Sequence, residues 1–184
     1  VEGTKTGTLA TPMDLDGIWK LYPVTYAPSG NLVAVVELFL SVEAMIPDYS
    51  GVIAGCVRHD VGRTYFNMRW TGEEAVHAWL LSEWLIASGV WDSRTSRQHF
   101  AKCLDVEWNP IPHYPRHGEL LYGPTSYVTL QEKRTAIGYE GLEAMAKAEG
   151  QLALAAICRR LKMEEARHYG FYLQVAQLTQ EFFP

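Results

Sequence analysis

The chain has few cysteines, no excess of positive charge and no long uninterrupted apolar run. Cys56, Cys103 and Cys158 are three in 184 residues and have no CxxC spacing, which excludes a paired disulfide framework or a zinc knuckle and fits a reducing compartment. Sixteen Lys and Arg stand against 21 Asp and Glu, a formal charge of -5. A dedicated nucleic-acid binder with a broad basic face is thereby disfavoured. The longest apolar run, Leu32 to Met45, is broken by Glu37 and Glu43, and falls short of the roughly 20 residues a membrane span needs. The N-terminus carries no signal-peptide pattern, and no strand-like alternation of useful length occurs. The expectation is a soluble, intracellular, all-α protein of one domain over residues 1–184.

What is present is helical periodicity. The first thirty residues scatter Gly, Pro and Thr and read as an irregular lead-in. Asn31 to about His59 repeats apolar residues at three- and four-residue steps, with a kink expected at Pro47. Thr71-Gly72-Glu73-Glu74 has the spacing of a capping box, predicting a second helix from there to Ser88. Ser93 to Glu107 suggests a shorter amphipathic helix before a loop holding Pro110, Pro112 and Pro115. Two more helices are predicted over Thr125 to Ala148 and over about Gln151 to Phe182, separated by a turn at Gly150. Four long helices suffice for a bundle.

Two segments carry chemistry. Glu74 and His77 on the second helix, and Glu165 and His168 on the fourth, each set a carboxylate and an imidazole three residues apart, on one helical face. Both pairs interrupt apolar seams: Leu154, Cys158, Leu161, Tyr172 and Val175 surround one, Leu81, Trp84 and Ser88 extend from the other. Glu43 falls on the line of Val36, Phe39 and Ile46, and Glu132 on the line of Thr125, Val128, Thr135 and Tyr139. Each long helix therefore turns one carboxylate inward. Four unpartnered buried carboxylates would each cost several kcal/mol, against a net stability of about 5–15 kcal/mol. Two divalent ions would balance them, and the two imidazoles complete a mixed N/O set suited to iron or manganese. Such a composition is that of ferritin-like di-metal bundles, two lone Glu and two Glu-x-x-His pairs from four helices. His113 and His117 have helical spacing in a Pro-rich loop, where metal binding is not expected, and His59 and His99 read as surface residues.

These residues resemble the soluble acyl-carrier-protein desaturases, di-iron enzymes of plant plastids and some bacteria. Trp70-Thr71-Gly72-Glu73-Glu74-Ala75-Val76-His77 resembles that family's W-T-x-E-E-x-x-H segment, Gln131-Glu132 with Thr135 its Q-E-R-x-T segment, and Glu165-Ala166-Arg167-His168 its E-x-R-H segment. Glu43-Ala44-Met45-Ile46-Pro47 is similar to its segment with Glu four residues before Pro. Val76 departs from the usual Arg, and Glu164 from the usual Asp, from which position it could orient His77 across the bundle. The resemblance implies two Fe ions held by Glu43, Glu74, His77, Glu132, Glu165 and His168, with Glu74 and Glu165 bridging and Thr135 on the oxygen-binding side. It also implies an O₂-dependent desaturase acting on a fatty acyl chain bound to acyl carrier protein, a ferredoxin donor and a homodimer in the cytoplasm or plastid stroma. Lys133, Arg134, Arg159, Arg160 and Lys162 are candidates to meet an acidic carrier. A di-iron hydroxylase or N-oxygenase, and a ferritin-like ferroxidase, are the competing readings.

Overall fold

A computed structural model describes residues 14–24, 26–107 and 122–182. Among them are seven helices and no strand: α1 (Leu15–Leu21), α2 (Gly30–Glu43), α3 (Ile46–Val57), α4 (Val61–Ala87), α5 (Ser93–Leu104), α6 (Tyr122–Ala148) and α7 (Leu152–Phe182). The long helices form a four-cornered bundle in which α2 and α7 each lie beside both α4 and α6, and α3 continues the α2 corner along α4. The all-α, ferritin-like architecture expected from the sequence is the one found.

Three boundaries differ from expectation, each for a local reason. The lead-in contains α1, capped by Asp14, whose side chain accepts from Gly17 N at 2.8 Å, and anchored by Leu15, Ile18 and Trp19 against the core. The first long helix is two helices. Pro47 has no N–H to continue the ladder, so α2 ends at Glu43 and α3 restarts with Pro47 in its first turn. The second long helix begins ten residues before Thr71, at Val61, with Asp60 as its cap (Arg63 N to Asp60 Oδ1, 2.9 Å). Thr71 is no cap: its hydroxyl donates to Asn67 O, one turn back in the same helix, at 2.8 Å.

By length and composition Gly30–Val57 is apolar enough to cross a membrane, more so than the shorter run Leu32 to Met45 suggests. A third of that apolar window is buried, with Leu32, Val36 and Leu40 fully inside the bundle core, while Leu38 and Val42 are exposed.

The core divides into two apolar clusters along the bundle axis. One contains Leu40, Leu81, Trp84, Tyr139, Leu142, Cys158 and Leu161, the other Ile46, Tyr49, Trp70, Val128 and Tyr172. On each of the four corners the chain passes from one cluster to the other through the same level, at Glu43, at Glu73 to His77, at Glu132 and at Glu164 to His168. A polar layer thus sits between two greasy ones, with Glu43, Glu74, His77, Glu132 and Glu165 at most 1% exposed.

Candidate metal centre

The polar layer is built by two helical segments that repeat one pattern. Arg69, Glu73, Glu74, Ala75 and His77 on α4 recur with the same spacing as Arg160, Glu164, Glu165, Ala166 and His168 on α7. Each segment completes the other. His77 Nε2 lies 3.1 Å from Glu164 Oε2, and His168 Nε2 lies 2.7 Å from Glu73 Oε2. Arg160 Nε donates to Glu164 Oε1 at 3.0 Å and Arg69 Nε to Glu73 Oε1 at 3.1 Å, each from one turn back in its own helix. Arg167 stands between, its Nη2 3.7 Å from both outer carboxylates. Glu164 therefore does to His77 what its position suggests. Glu73 does the same to His168 and was not among the expected site residues, although the repeated Glu-Glu-Ala-x-His was its signal in the sequence.

With Nε2 of each ring tethered outward, both Nδ1 atoms face the bundle axis. His77 Nδ1 lies 2.9 Å from Glu165 Oε1, 3.9 Å from Glu74 Oε2 and 4.0 Å from Glu43 Oε2. His168 Nδ1 lies 3.0 Å from Glu74 Oε1 and 3.2 Å from Glu132 Oε2. The six side chains thus form two overlapping groups, Glu43, Glu74, His77, Glu165 and Glu74, Glu132, Glu165, His168, each with its ligand-type atoms within 4.8 Å of one another. Glu74 and Glu165 belong to both. The described structure brings all six expected residues together.

The donor set fits a pair of cations better than it fits itself. Short as the distances are, His77 Nδ1, Glu74 Oε1, Glu132 Oε1 and Glu165 Oε1 are buried without an aligned hydrogen bond. Burial, reinforced by the neighbouring carboxylates, raises Glu43 above the usual carboxylate range, and Glu74 and Glu132 well above it. Burial also opposes charge on Glu165, but the close approach and charge of His77, with help from His168, outweigh it and hold Glu165 low. His77 and His168 are raised against the pull of burial by the carboxylates around them, His168 to about 9. Protonated histidines thus stand in for missing positive charge, a task that a cation among these oxygens would take over. Glu73 shows the contrast: its hydrogen bond to His168, aided by Arg69 and Arg167, lowers it to about 2.

Thr135 lies beside this layer. Its Oγ1 is 2.8 Å from Glu165 Oε2 and 2.9 Å from Gln131 O, which compete for one proton. Thr135 and Gln131 also form part of the floor of a groove of about 520 Å³ between α2 and α6, walled by Leu38, Phe39, Val42 and Leu130. The expected carrier-facing cations are partly committed elsewhere. Arg159 and Lys162 hold Glu143, Arg160 holds Glu164, and Lys133 sits 5.0 Å over the ring of Tyr169, while Arg134 borders the groove. His99 is half-buried rather than a surface residue, packed on Trp91 and 3.0 Å from Ser41 Oγ. His113 and His117 lie outside the described residues.

A four-cornered helical bundle with a buried layer of four Glu and two His defines the chain as a ferritin-like protein with a candidate di-metal centre. Comparison with known proteins then gives the family. A sequence model described as "Fatty acid desaturase" matches residues 27–183, and the chain belongs to that family. It is 26% identical over 164 residues to an acyl-[acyl-carrier-protein] 6-desaturase of Thunbergia alata, covering 85% of this chain and 41% of that protein. It is 27% identical over 165 residues to the chloroplastic stearoyl-[acyl-carrier-protein] 9-desaturase 5 of Arabidopsis thaliana, covering 85% and 40%. The chain spans about two fifths of the length of these relatives. No solved structure matches it.

Proposed function

We propose that this chain is the di-iron part of an O₂-dependent desaturase that places a cis double bond in a fatty acyl chain bound to acyl carrier protein. The observation that carries the reading is the pair of overlapping Glu/His groups in a chain of the fatty acid desaturase family. Glu43, Glu74 and His77 with Glu165 would hold one iron, and Glu132, Glu165 and His168 with Glu74 the other, Glu74 and Glu165 bridging. Two iron ions, when bound, supply a centre that reduces O₂ and oxidises an unactivated C–H bond.

The protein's own part is positioning and exclusion of water. Glu164 and Glu73 fix the two imidazoles with Nδ1 inward, so neither ring has to reorganise. The apolar clusters on both sides keep the layer dry, which strengthens each electrostatic contact within it. The groove over Thr135 offers an apolar chain a path along α2 and α6 to the edge of the centre. The reaction removes two hydrogens from adjacent methylenes and, with O₂, two electrons and two protons, yields the alkene and two waters. A ferredoxin would deliver the electrons, Arg134 would help meet the acidic carrier, and the working unit would be a homodimer in a plastid or in cytoplasm.

The test is anaerobic loading with Fe²⁺ followed by O₂, read by Mössbauer spectroscopy, on the wild type and on Glu165→Ala/His168→Ala. Two irons per chain, lost in the variant, are expected, and incubation with an acyl carrier protein loaded with a saturated acyl chain should then yield the alkene. A hydroxylated product would shift the reading to an oxygenase, and a chain that takes up no iron pair would end it.

A further inference from the structure

Resting on the di-metal reading, we infer that Tyr139 is a positioning residue that makes the two metal positions unequal, by holding one oxygen of Glu43 out of the metal's reach. Glu43 and Glu132 are the two carboxylates that each belong to one group only, yet they are not held alike. Tyr139 is fully buried, and its Oη donates to Glu43 Oε1 at 2.6 Å, the length of a charge-assisted O–H···O bond. Its ring is wedged between Phe39, with centroids 4.9 Å apart, and His77, at 6.3 Å. Gly138 permits the wedge: a Cβ there would sit 2.5 Å from Phe39 Cζ. Rotating Tyr139 away would strand a phenol in apolar surroundings. Glu43 Oε1 is therefore engaged, and only Oε2 is turned towards His77 Nδ1.

Glu132 is the opposite case. Its Oε2 faces His168 Nδ1 at 3.2 Å, while Oε1 is buried with no hydrogen-bond partner. No donor comparable to Tyr139 holds that oxygen, so Glu132 could offer one oxygen or two. A metal at the Glu43 position would accordingly meet one free carboxylate oxygen there, and a metal at the Glu132 position could meet two.

Co²⁺ is the probe, because its visible absorption weakens as coordination number rises. The full chain is titrated with Co²⁺ as wild type, Tyr139→Phe and Phe39→Leu, with thermal unfolding of each apoprotein alongside. Two Co²⁺ per chain with unequal absorption are expected in the wild type. Tyr139→Phe should keep both ions but weaken the more intense band, as Glu43 gains a second free oxygen. Phe39→Leu, which loosens the wedge and retains the phenol, should leave the bands in place. Equal wild-type bands, or a Tyr139→Phe spectrum identical to wild type at two bound Co²⁺, would overturn the inference. A band change of the same size in Phe39→Leu would overturn it too, by showing packing to be the cause. Failure of the wild type to take up two Co²⁺ would instead remove the di-metal reading itself.

Discussion

Two sets of buried glutamates lie within one bundle and behave oppositely. Glu73, Glu143 and Glu164 are between 5% and 8% exposed, and Glu43, Glu74 and Glu132 at most 1%, so neither set is solvated. The first set is held below the usual carboxylate range, Glu73 and Glu143 at about 2, because each member has basic neighbours supplied by the chain. The second is raised, first by deep burial and then by the charges of neighbouring carboxylates, which together outweigh the pull of His77. Burial alone therefore does not decide the state of a glutamate. The protein sets Arg69, Arg160 and Arg167 against the outer carboxylates that steer the histidines, and places no Arg or Lys against the inner ones among the described contacts.

Breaking the inner set should have the largest effect, and on metal rather than on fold. Glu132→Gln removes a charge belonging to one group only, so the expected outcome by isothermal calorimetry with Fe²⁺ or Co²⁺ is loss of one ion of two. Glu73→Ala takes nothing from the inner layer but frees the His168 ring. Removing such an orienting partner costs about 10–100-fold in metal affinity, so both ions should still bind, one of them more weakly. If the two variants proved alike, the division into holding and steering carboxylates would fail.

Without metal the same two substitutions should move stability in opposite directions. Glu132→Gln replaces a carboxylate that burial and its like-charged neighbours disfavour with a neutral amide, and should stabilise the apoprotein by on the order of 1 kcal/mol at neutral pH. Glu73→Ala strands Arg69 and the His168 Nε2–H, and should cost about 2 kcal/mol, within the range for a lost charged hydrogen bond. Urea unfolding of the metal-free variants measures both. A destabilised Glu132→Gln apoprotein would mean that the inner carboxylates already have partners.

The inner set was legible in the sequence and the outer set only in part. Glu43, Glu74 and Glu132, and Glu165 beside them, which His77 holds low, stood on apolar seams, and a charged residue on such a line is conspicuous. Glu73 stood off the seam of α4, and what makes it functional is the ring of His168, 95 residues away. Tyr139 was on the line of Glu132, but its partner Glu43 comes from another helix, which no spacing along α6 reveals. The start of α4 was hidden for a different reason. Exposed Val61, Tyr65 and Met68 blur the periodicity of its first turns, and Thr71-x-x-Glu74 imitates a cap where the helix is already running.

The smallest effect belongs to Glu143, an outer carboxylate far from the histidines. Lys147, Arg159 and Lys162 surround it and lower its pKa to about 2, from an ordinary value of 4.5. Because the folded value lies below the unfolded one, its contribution is present above about pH 5 and fades as pH falls towards about 2. Lys147 and Arg159 are largely in water, which screens their pull, so the whole contribution should be about 1 kcal/mol. The stability difference between wild type and Glu143→Gln, followed by urea unfolding across that interval, should shrink towards zero at the acid end. A difference independent of pH would mean that Glu143 acts through packing, and that its basic neighbours do not set it apart from the inner set.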